Sequence, residues 1–249
     1  MKRFWEIDAI RGFFVVLMAI YHGIYLLVWF RLIEIDLYSG WIWFFPRFIA
    51  GSFIFIMGLS LTLSHFRAKN KVNKKALFFK FLKRGFFIIG LGFLVTLGTA
   101  LVFGAQSMER VVFFGILHMI GLSIILAFPL VNRKWLSFFL GIVVLGAGVF
   151  LGNHRFSFYG LLWLGFRPLS YAPVDYLPLL PWFAFVCLGI FTGHILYPQG
   201  VRRFVVPEIK SSKPLNALLW IGTHSLWIYL AHVPVVYGVL LLVVSVVSK

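Results

Sequence analysis

Arg11 and His22 stand eleven residues apart in one apolar stretch, running from Trp5-Glu6-Ile7-Asp8-Ala9-Ile10-Arg11-Gly12 to Tyr21-His22. In a helix of about 100° and about 1.5 Å per residue, eleven residues return to nearly the same face roughly 16 Å further along the axis. A cation and an imidazole therefore line one face at two depths. A mid-membrane Arg costs at least about 2.5–3.5 kcal/mol on insertion scales, so such groups persist where they face a cavity or a partner. A histidine near neutral pH can take the proton from an attacking amine or hydroxyl, or be acylated itself, which is the chemistry of acyl transfer. Arg11 adds a planar fork suited to a phosphate or carboxylate.

Asp8 precedes Arg11 by three residues, the spacing of an ion pair on one helix face, and an acid favours the helix N-terminus. A structural pair and a direct substrate role both fit. Three more histidines fall in or beside apolar runs: His118 in Gly115-Ile116-Leu117-His118, His224 in Gly222-Thr223-His224-Ser225, and His232 in Tyr229-Leu230-Ala231-His232-Val233-Pro234. Each can be a core histidine satisfied by a carbonyl. Four together point to function. His224 and His232 are eight apart, about 80° around a helix, so they need not share a face. No HExxH spacing occurs and carboxylates are scarce, so no metal is expected. There is no Gly-x-Ser-x-Gly elbow, and Ser225 beside His224 is no triad, since adjacent side chains diverge.

The elements that must position these groups are membrane helices. Of 249 residues, 61% are hydrophobic and only 12% charged, against roughly 25% charged in a soluble domain. Several runs exceed the roughly 18 apolar residues that cross about 30 Å of hydrocarbon. We expect an all-α polytopic bundle, one transmembrane domain over residues 1–249, with spans near 9–30, 47–65, 85–104, 111–130, 135–152, 179–197 and 223–246. Seven helices are expected, within a range of six to eight. Gly222 should end a short surface helix, with a Pro234-kinked helix starting at Thr223 or Ser225. The first span carries no small-residue cleavage site and reads as a retained helix rather than a signal peptide.

The net charge of +16 has a topological explanation, and no nucleic-acid partner is expected. Sixteen of the 23 basic residues fall in four alternate regions: Lys2 and Arg3; eight from Arg67 to Arg84; Arg133 and Lys134; and Arg202, Arg203, Lys210 and Lys213. The positive-inside rule places these regions, and the N-terminus, in the cytoplasm. The 67–83 segment reads as a basic loop, partly an amphipathic helix, whose Lys71, Lys74 and Lys75 would meet anionic headgroups, or alternatively an anionic cofactor. On the other side, Asn153 to Tyr176 carries Tyr159, Trp163, Tyr171 and Tyr176 beside Asp175. These suit interface anchoring, and also sugar recognition. The single Cys187 cannot form an intrachain disulfide.

Arg11, ten residues and then His22, within Asp8-Ala9-Ile10-Arg11-Gly12, resembles the first-helix signature of the transmembrane acyltransferase superfamily, which includes the acyltransferase-3 proteins. Five motifs in order give a closer likeness. They are Trp5-Glu6-Ile7-Asp8 with Arg11-Gly12; Phe53-Ile54-Phe55-Ile56-Met57-Gly58-Leu59-Ser60; Phe114-Gly115-Ile116-Leu117-His118; Pro178-Leu179-Leu180-Pro181-Trp182-Phe183 with Leu188-Gly189-Ile190-Phe191; and Ile228-Tyr229-Leu230-Ala231-His232-Val233-Pro234. Together they resemble the catalytic domain of heparan-alpha-glucosaminide N-acetyltransferase in its prokaryotic branch.

The resemblance implies transfer of an acetyl group from cytoplasmic acetyl-CoA to an acceptor such as an amino sugar on the far side of the membrane. Arg11 and His22 inherit the strongest candidacy, with Asp8 beside them. Arg11 would anchor the anionic acyl-CoA, and His22 would be base or acyl carrier. His118 and His232 would complete or orient the site. Lys83 and Arg84 would meet the CoA phosphates; Trp182 would stack on pantetheine or acceptor, or simply pack. The resemblance is to the catalytic membrane domain and not to the eukaryotic enzyme's N-terminal luminal region, so its lysosomal heparan substrate is not expected to carry over. A cell-envelope glycan or amino-sugar acceptor in a prokaryotic cytoplasmic membrane is the expectation, with a homo-oligomer possible on aromatic-rich faces. The rival is a transporter or flippase for an anionic or glycan substrate, with Arg11 binding it and the histidines relaying protons.

Overall fold

A backbone in hydrocarbon must satisfy its own N–H and C=O groups, and the apolar runs of this chain do so as helices. The computed structural model describes residues 4–69, 71–173, 175–206 and 212–247; the basic residues Lys2, Arg3, Lys210 and Lys249 lie outside them. The helices are α1 (Trp5–Trp29), α2 (Gly40–Ala68), α3 (Lys74–Phe103), α4 (Ile116–Ala127), α5 (Lys134–Gly152), α6 (Leu179–Leu196), α7 (Lys213–Thr223) and α8 (Ser225–Val247), with three short 3-10 turns. No strand occurs among the described residues. Six of these helices, α1, α2, α3, α5, α6 and α8, are long and apolar enough to cross a membrane. The short surface helix and the following Pro234-containing helix appear as α7 and α8.

Three boundaries differ from expectation, the first through a distant partner and the other two beside local contacts. The span expected over 111–130 contracts to the 12 residues of α4, about 18 Å of rise against about 30 Å of hydrocarbon. Residues Val111 to Phe113 instead form a bent, non-helical segment: Thr99 Oγ1 accepts the Val112 N–H at 3.1 Å, and the Phe113 N–H points to both the Val111 carbonyl at 3.0 Å and Tyr171 Oη at 3.1 Å. Helix α2 begins at Gly40 rather than near 47, with Pro46 inside it; the Arg47 guanidinium donates to the Trp43 carbonyl and lies 3.8 Å over its indole. The basic stretch is mostly helix, because Asn73 caps α3 by accepting the Ala76 N–H at 2.7 Å. Lys74, Lys75, Lys80, Lys83 and Arg84 therefore ride on α3 rather than in a loop.

The described residues fall into two compact units. One comprises residues up to Phe53 and from Val206, and holds α1, the first part of α2, α7 and α8. Its core is Val15, Met18 and Ile49, packed by Phe14, Leu17, Tyr21, Phe45, Phe53, Ile221, Ile228 and Tyr229. The other runs from Ile54 to Val205. Its helices approach through small residues, as expected where lipid competes equally for large apolar side chains: a Cβ on Gly85 would lie 2.7 Å from the Gly121 carbonyl oxygen, and one on Gly121 would lie 2.6 Å from that of Gly85. Their outer faces stay apolar and exposed, as at Phe86, Phe87 and Phe93 of α3 and Phe139, Val143 and Phe150 of α5.

Tyr171 organises the long 153–178 connection of the second unit. Only 1% exposed, its hydroxyl donates to the Val111 carbonyl at 3.1 Å, and Arg167 Nε donates to its own carbonyl at 2.8 Å. Burial pushes this phenol up to about 12 and raises that of Tyr176 as well, whose hydroxyl donates to the Leu162 carbonyl at 2.9 Å. Asp175 Oδ2 accepts the Ile116 N–H at 3.1 Å and so caps α4. Two of the four aromatics expected at this interface, Tyr171 and Tyr176, are thus posts of the loop itself, while Tyr159 and Trp163 remain exposed.

Candidate functional site

The first unit brings together four of the residues singled out by type and spacing. Asp8 and Arg11 sit one turn apart near the start of α1, and Arg11 Nη1 donates to Asp8 Oδ1 at 2.8 Å. The pair is largely covered, with side chains 23% exposed for Arg11 and 15% for Asp8. Arg11 Nη1 also lies 3.4 Å from the carbonyl oxygen of Gly222, in the last turn of α7, where carbonyls lack helical partners and the dipole is negative. The guanidinium is therefore held by its own helix and by the end of a second one.

That contact exists because two glycines let α1 and α7 touch through their backbones. A Cβ on Gly12 would run into the Leu218 carbonyl and lie 3.1 Å from the Gly222 nitrogen; one on Gly222 would run into the Asp8 carbonyl. The position of Gly222 at the end of an amphipathic segment signals a helix C-terminus in the sequence, but its pairing with Gly12 carries no sequence signal, since the two are 210 residues apart.

Eleven residues along α1, His22 meets His232 of α8. Their ring centroids are 4.7 Å apart with planes at 75°. Each ring is oriented by its own helix: His22 Nδ1 is 2.9 Å from the Met18 carbonyl oxygen, and His232 Nδ1 is 2.6 Å from that of Tyr229. A carbonyl can only accept, so in the neutral ring the hydrogen sits on Nδ1 and the lone pair on Nε2. Both imidazoles are thereby set as bases at Nε2. His232 is 8% exposed, and its Nε2 is buried with no hydrogen-bond partner among the described residues. Leaving a buried polar atom unmatched costs about 1–3 kcal/mol, which a reacting proton donor would recover. The sequence named His232, but the partner of His22 was not legible there, because α1 and α8 meet only in the tertiary structure.

The remaining candidates lie elsewhere. His224 occupies the corner between α7 and α8, its ring stacked on Trp220 at 4.6 Å and its Nδ1 2.9 Å from the Trp220 carbonyl oxygen; it is exposed and meets neither His22 nor His232 ring to ring. His118 belongs to the second unit. It is 4% exposed, boxed by Phe93 at 5.0 Å and Phe114 at 5.6 Å, with Gly92 leaving room where a Cβ would stand 2.9 Å from the ring. Its Nδ1 accepts the Gly115 N–H at 3.3 Å. The neutral ring then carries its hydrogen on Nε2, the opposite tautomer to His22 and His232, and it is a donor rather than a base. Lys83 and Arg84 lie on an exposed face of α3, and Trp182 of α6 stacks on Phe185 with centroids 5.7 Å apart.

Comparison with known families gives a match to the heparan-alpha-glucosaminide N-acetyltransferase catalytic family over residues 3–234. Among curated proteins none matches. The matched region contains α1, with Asp8, Arg11 and His22, and extends through His232 of α8. With a match covering nearly the whole chain and six helices of membrane-crossing length, the protein belongs to the heparan-alpha-glucosaminide N-acetyltransferase catalytic family and is a membrane acetyltransferase of that type.

Proposed function

We propose that the protein moves an acetyl group from cytoplasmic acetyl-CoA to the amine of an amino sugar or other envelope glycan acceptor on the opposite side of a prokaryotic cytoplasmic membrane. The observation that carries this reading is the His22–His232 pair, two imidazoles in contact with both Nε2 atoms set as bases and one of them buried without a partner. His22 Nε2 takes the proton from the acceptor amine as its nitrogen attacks the thioester carbonyl carbon. The C–N bond forms, the C–S bond breaks, and the proton passes to the departing thiolate to give free CoA. His232 shares the positive charge that develops on His22. Arg11, held by Asp8 and the end of α7, orients an anionic part of the donor at the other depth of α1. Lys83 and Arg84 are assigned to the CoA phosphates on charge, Trp182 to stacking on the pantetheine or acceptor, and His118 to donating a hydrogen bond from Nε2.

Release of free CoA by purified, detergent-solubilised protein tests this, with acetyl-CoA in the presence and absence of glucosamine, comparing wild type with His22→Ala. Transfer that requires His22 and rises with acceptor is expected, with His22→Ala lower by about 100-fold or more, the usual worth of a general base. Full activity in His22→Ala would remove its assigned role. Acetylation of His22 by donor alone would route the transfer through an acyl-imidazole instead of direct attack.

A further inference from the structure

A second group of basic side chains, within the Ile54–Val205 unit, is gathered by the crossing of α2 and α6. These helices pack through Gly58, Gly189 and Gly193: a Cβ on Gly58 would run into the Val186 backbone, one on Gly189 into the Phe55 carbonyl, and one on Gly193 would lie 3.0 Å from Thr62 Cβ. Such small-residue crossings fix helix register closely. Here the register brings the ends of the two helices together around Phe66. The His194 ring meets Phe66 edge-on at 5.1 Å, and Lys69 Nζ lies 5.1 Å over the same ring. His194 Nε2 is 2.9 Å from the Val131 carbonyl oxygen, in the turn that leads into α5. Lys134, the first residue of α5, places its Nζ 5.6 Å from the Phe191 ring of α6.

His65, Lys69, His194 and Lys134 are thus within electrostatic range of one another, His65 with Lys69 and His194, and His194 with Lys69 and Lys134. Among the described residues no carboxylate forms an ion pair with any of them. Lys69 donates to the neutral Gln199 Oε1 at 2.5 Å, and His65 Nδ1 is buried with no hydrogen-bond partner. Helix α5 begins here with no side chain capping its N-terminus and with a lysine in its first turn, where a helix dipole favours an anion. The clustered basic groups, the unmatched buried nitrogen and the uncapped helix start all favour an anion.

The geometry points to a phosphate-binding site formed by His65, Lys69, His194 and Lys134, with the anion bridging the ends of α2 and α6 and the start of α5. A tetrahedral oxyanion supplies several acceptors for the two ammonium groups and for His65, favours the protonated form of His194, whose Nδ1 then donates, and neutralises their mutual repulsion. The phosphate can come from a soluble nucleotide or from a lipid headgroup. The site stands on its own geometry and does not require that the protein transfer an acetyl group.

The full-length protein, purified in a phosphate-free maltoside detergent, is titrated with adenosine 3′,5′-bisphosphate and, separately, incorporated into nanodiscs with or without phosphatidylglycerol. Wild type is compared with a Lys69→Gln, Lys134→Gln double variant and with Lys213→Gln, an exposed control at the start of α7. If the source is a nucleotide, the bisphosphate binds wild type and the control alike and the double variant about tenfold or more weakly, the worth of one charge-assisted bond. If the source is a lipid, phosphatidylglycerol raises the melting temperature of wild type and control but not of the double variant, and the bisphosphate does nothing. Equal responses of wild type and double variant to both probes overturn the site. Should the double variant fail to fold, wild type alone decides: either the bisphosphate, against chloride at equal ionic strength, or phosphatidylglycerol, against nanodiscs without it, must raise its melting temperature, and no response to both overturns the proposal.

Discussion

Glycine 12 and glycine 23 follow Arg11 and His22 directly on the same helix, yet their surroundings are opposite, and the same substitution should act on them with opposite sign. A Cβ on Gly12 would lie 3.0 Å from the Leu218 carbonyl carbon and 3.1 Å from the Gly222 nitrogen, with the Leu218 oxygen nearer still; a Cβ on Gly23 would meet nothing within 4 Å. The atoms facing Gly12 are backbone and cannot rotate away. Gly12→Ala therefore forces α7 outward against fixed backbone atoms, at about 2–3 kcal/mol, the upper part of the overpacking range, against a gain of about 1 kcal/mol from replacing glycine in a helix. The net loss is about 1–2 kcal/mol, while Gly23→Ala keeps most of the gain. For a chain of this size each kcal/mol shifts the melting temperature by about 2–4 °C, so Gly12→Ala should melt about 2–8 °C lower and Gly23→Ala up to about 4 °C higher than wild type in the same detergent. The Arg11 bond to the Gly222 carbonyl, at 3.4 Å, is near the limit of a hydrogen bond and should break in Gly12→Ala. CoA release should fall in Gly12→Ala and not in Gly23→Ala. Shifts of the same sign in the two variants, or a Gly12→Ala protein at least as stable as wild type, would refute the backbone contact between α1 and α7.

Two further outcomes are expected. His22→Ala and His232→Ala should each abolish most transfer, and the double variant should lose little more than either alone, since the paired rings act as one unit; fully multiplicative losses would separate their roles. Tyr171→Phe removes a donor to Val111 and an acceptor for Phe113 and should destabilise the second unit by about 1–3 kcal/mol. Because the folded state raises this phenol from 10.0 to about 12, its contribution is complete below pH about 10 and declines as pH rises through about 12. Melting temperature against pH should therefore fall less steeply across that window in Tyr171→Phe than in wild type, and identical slopes would contradict the buried phenol.

Composition and periodicity determined most of the architecture. Six of the seven runs expected to span are helices of membrane-crossing length, and the break at Gly222 and the proline-containing final helix were legible because cap residues and proline act through local backbone geometry. Asp8 with Arg11 was legible for the same reason, being a matter of three residues on one helix. Of the boundaries the sequence alone placed wrongly, that of α4 involves a distant partner: Tyr171, 58 residues beyond Phe113, takes that residue's N–H. The site shows the same division. The sequence could name His22, His118 and His232 as unusual in an apolar segment, but it contained no information that α8 sets His232 against His22 while His118 belongs to another unit with the opposite tautomer. Tautomer depends on which backbone group faces a ring nitrogen, and the meeting of α1 with α7 and α8 depends on glycines far apart in the chain. Those are properties of packing, which local periodicity does not encode.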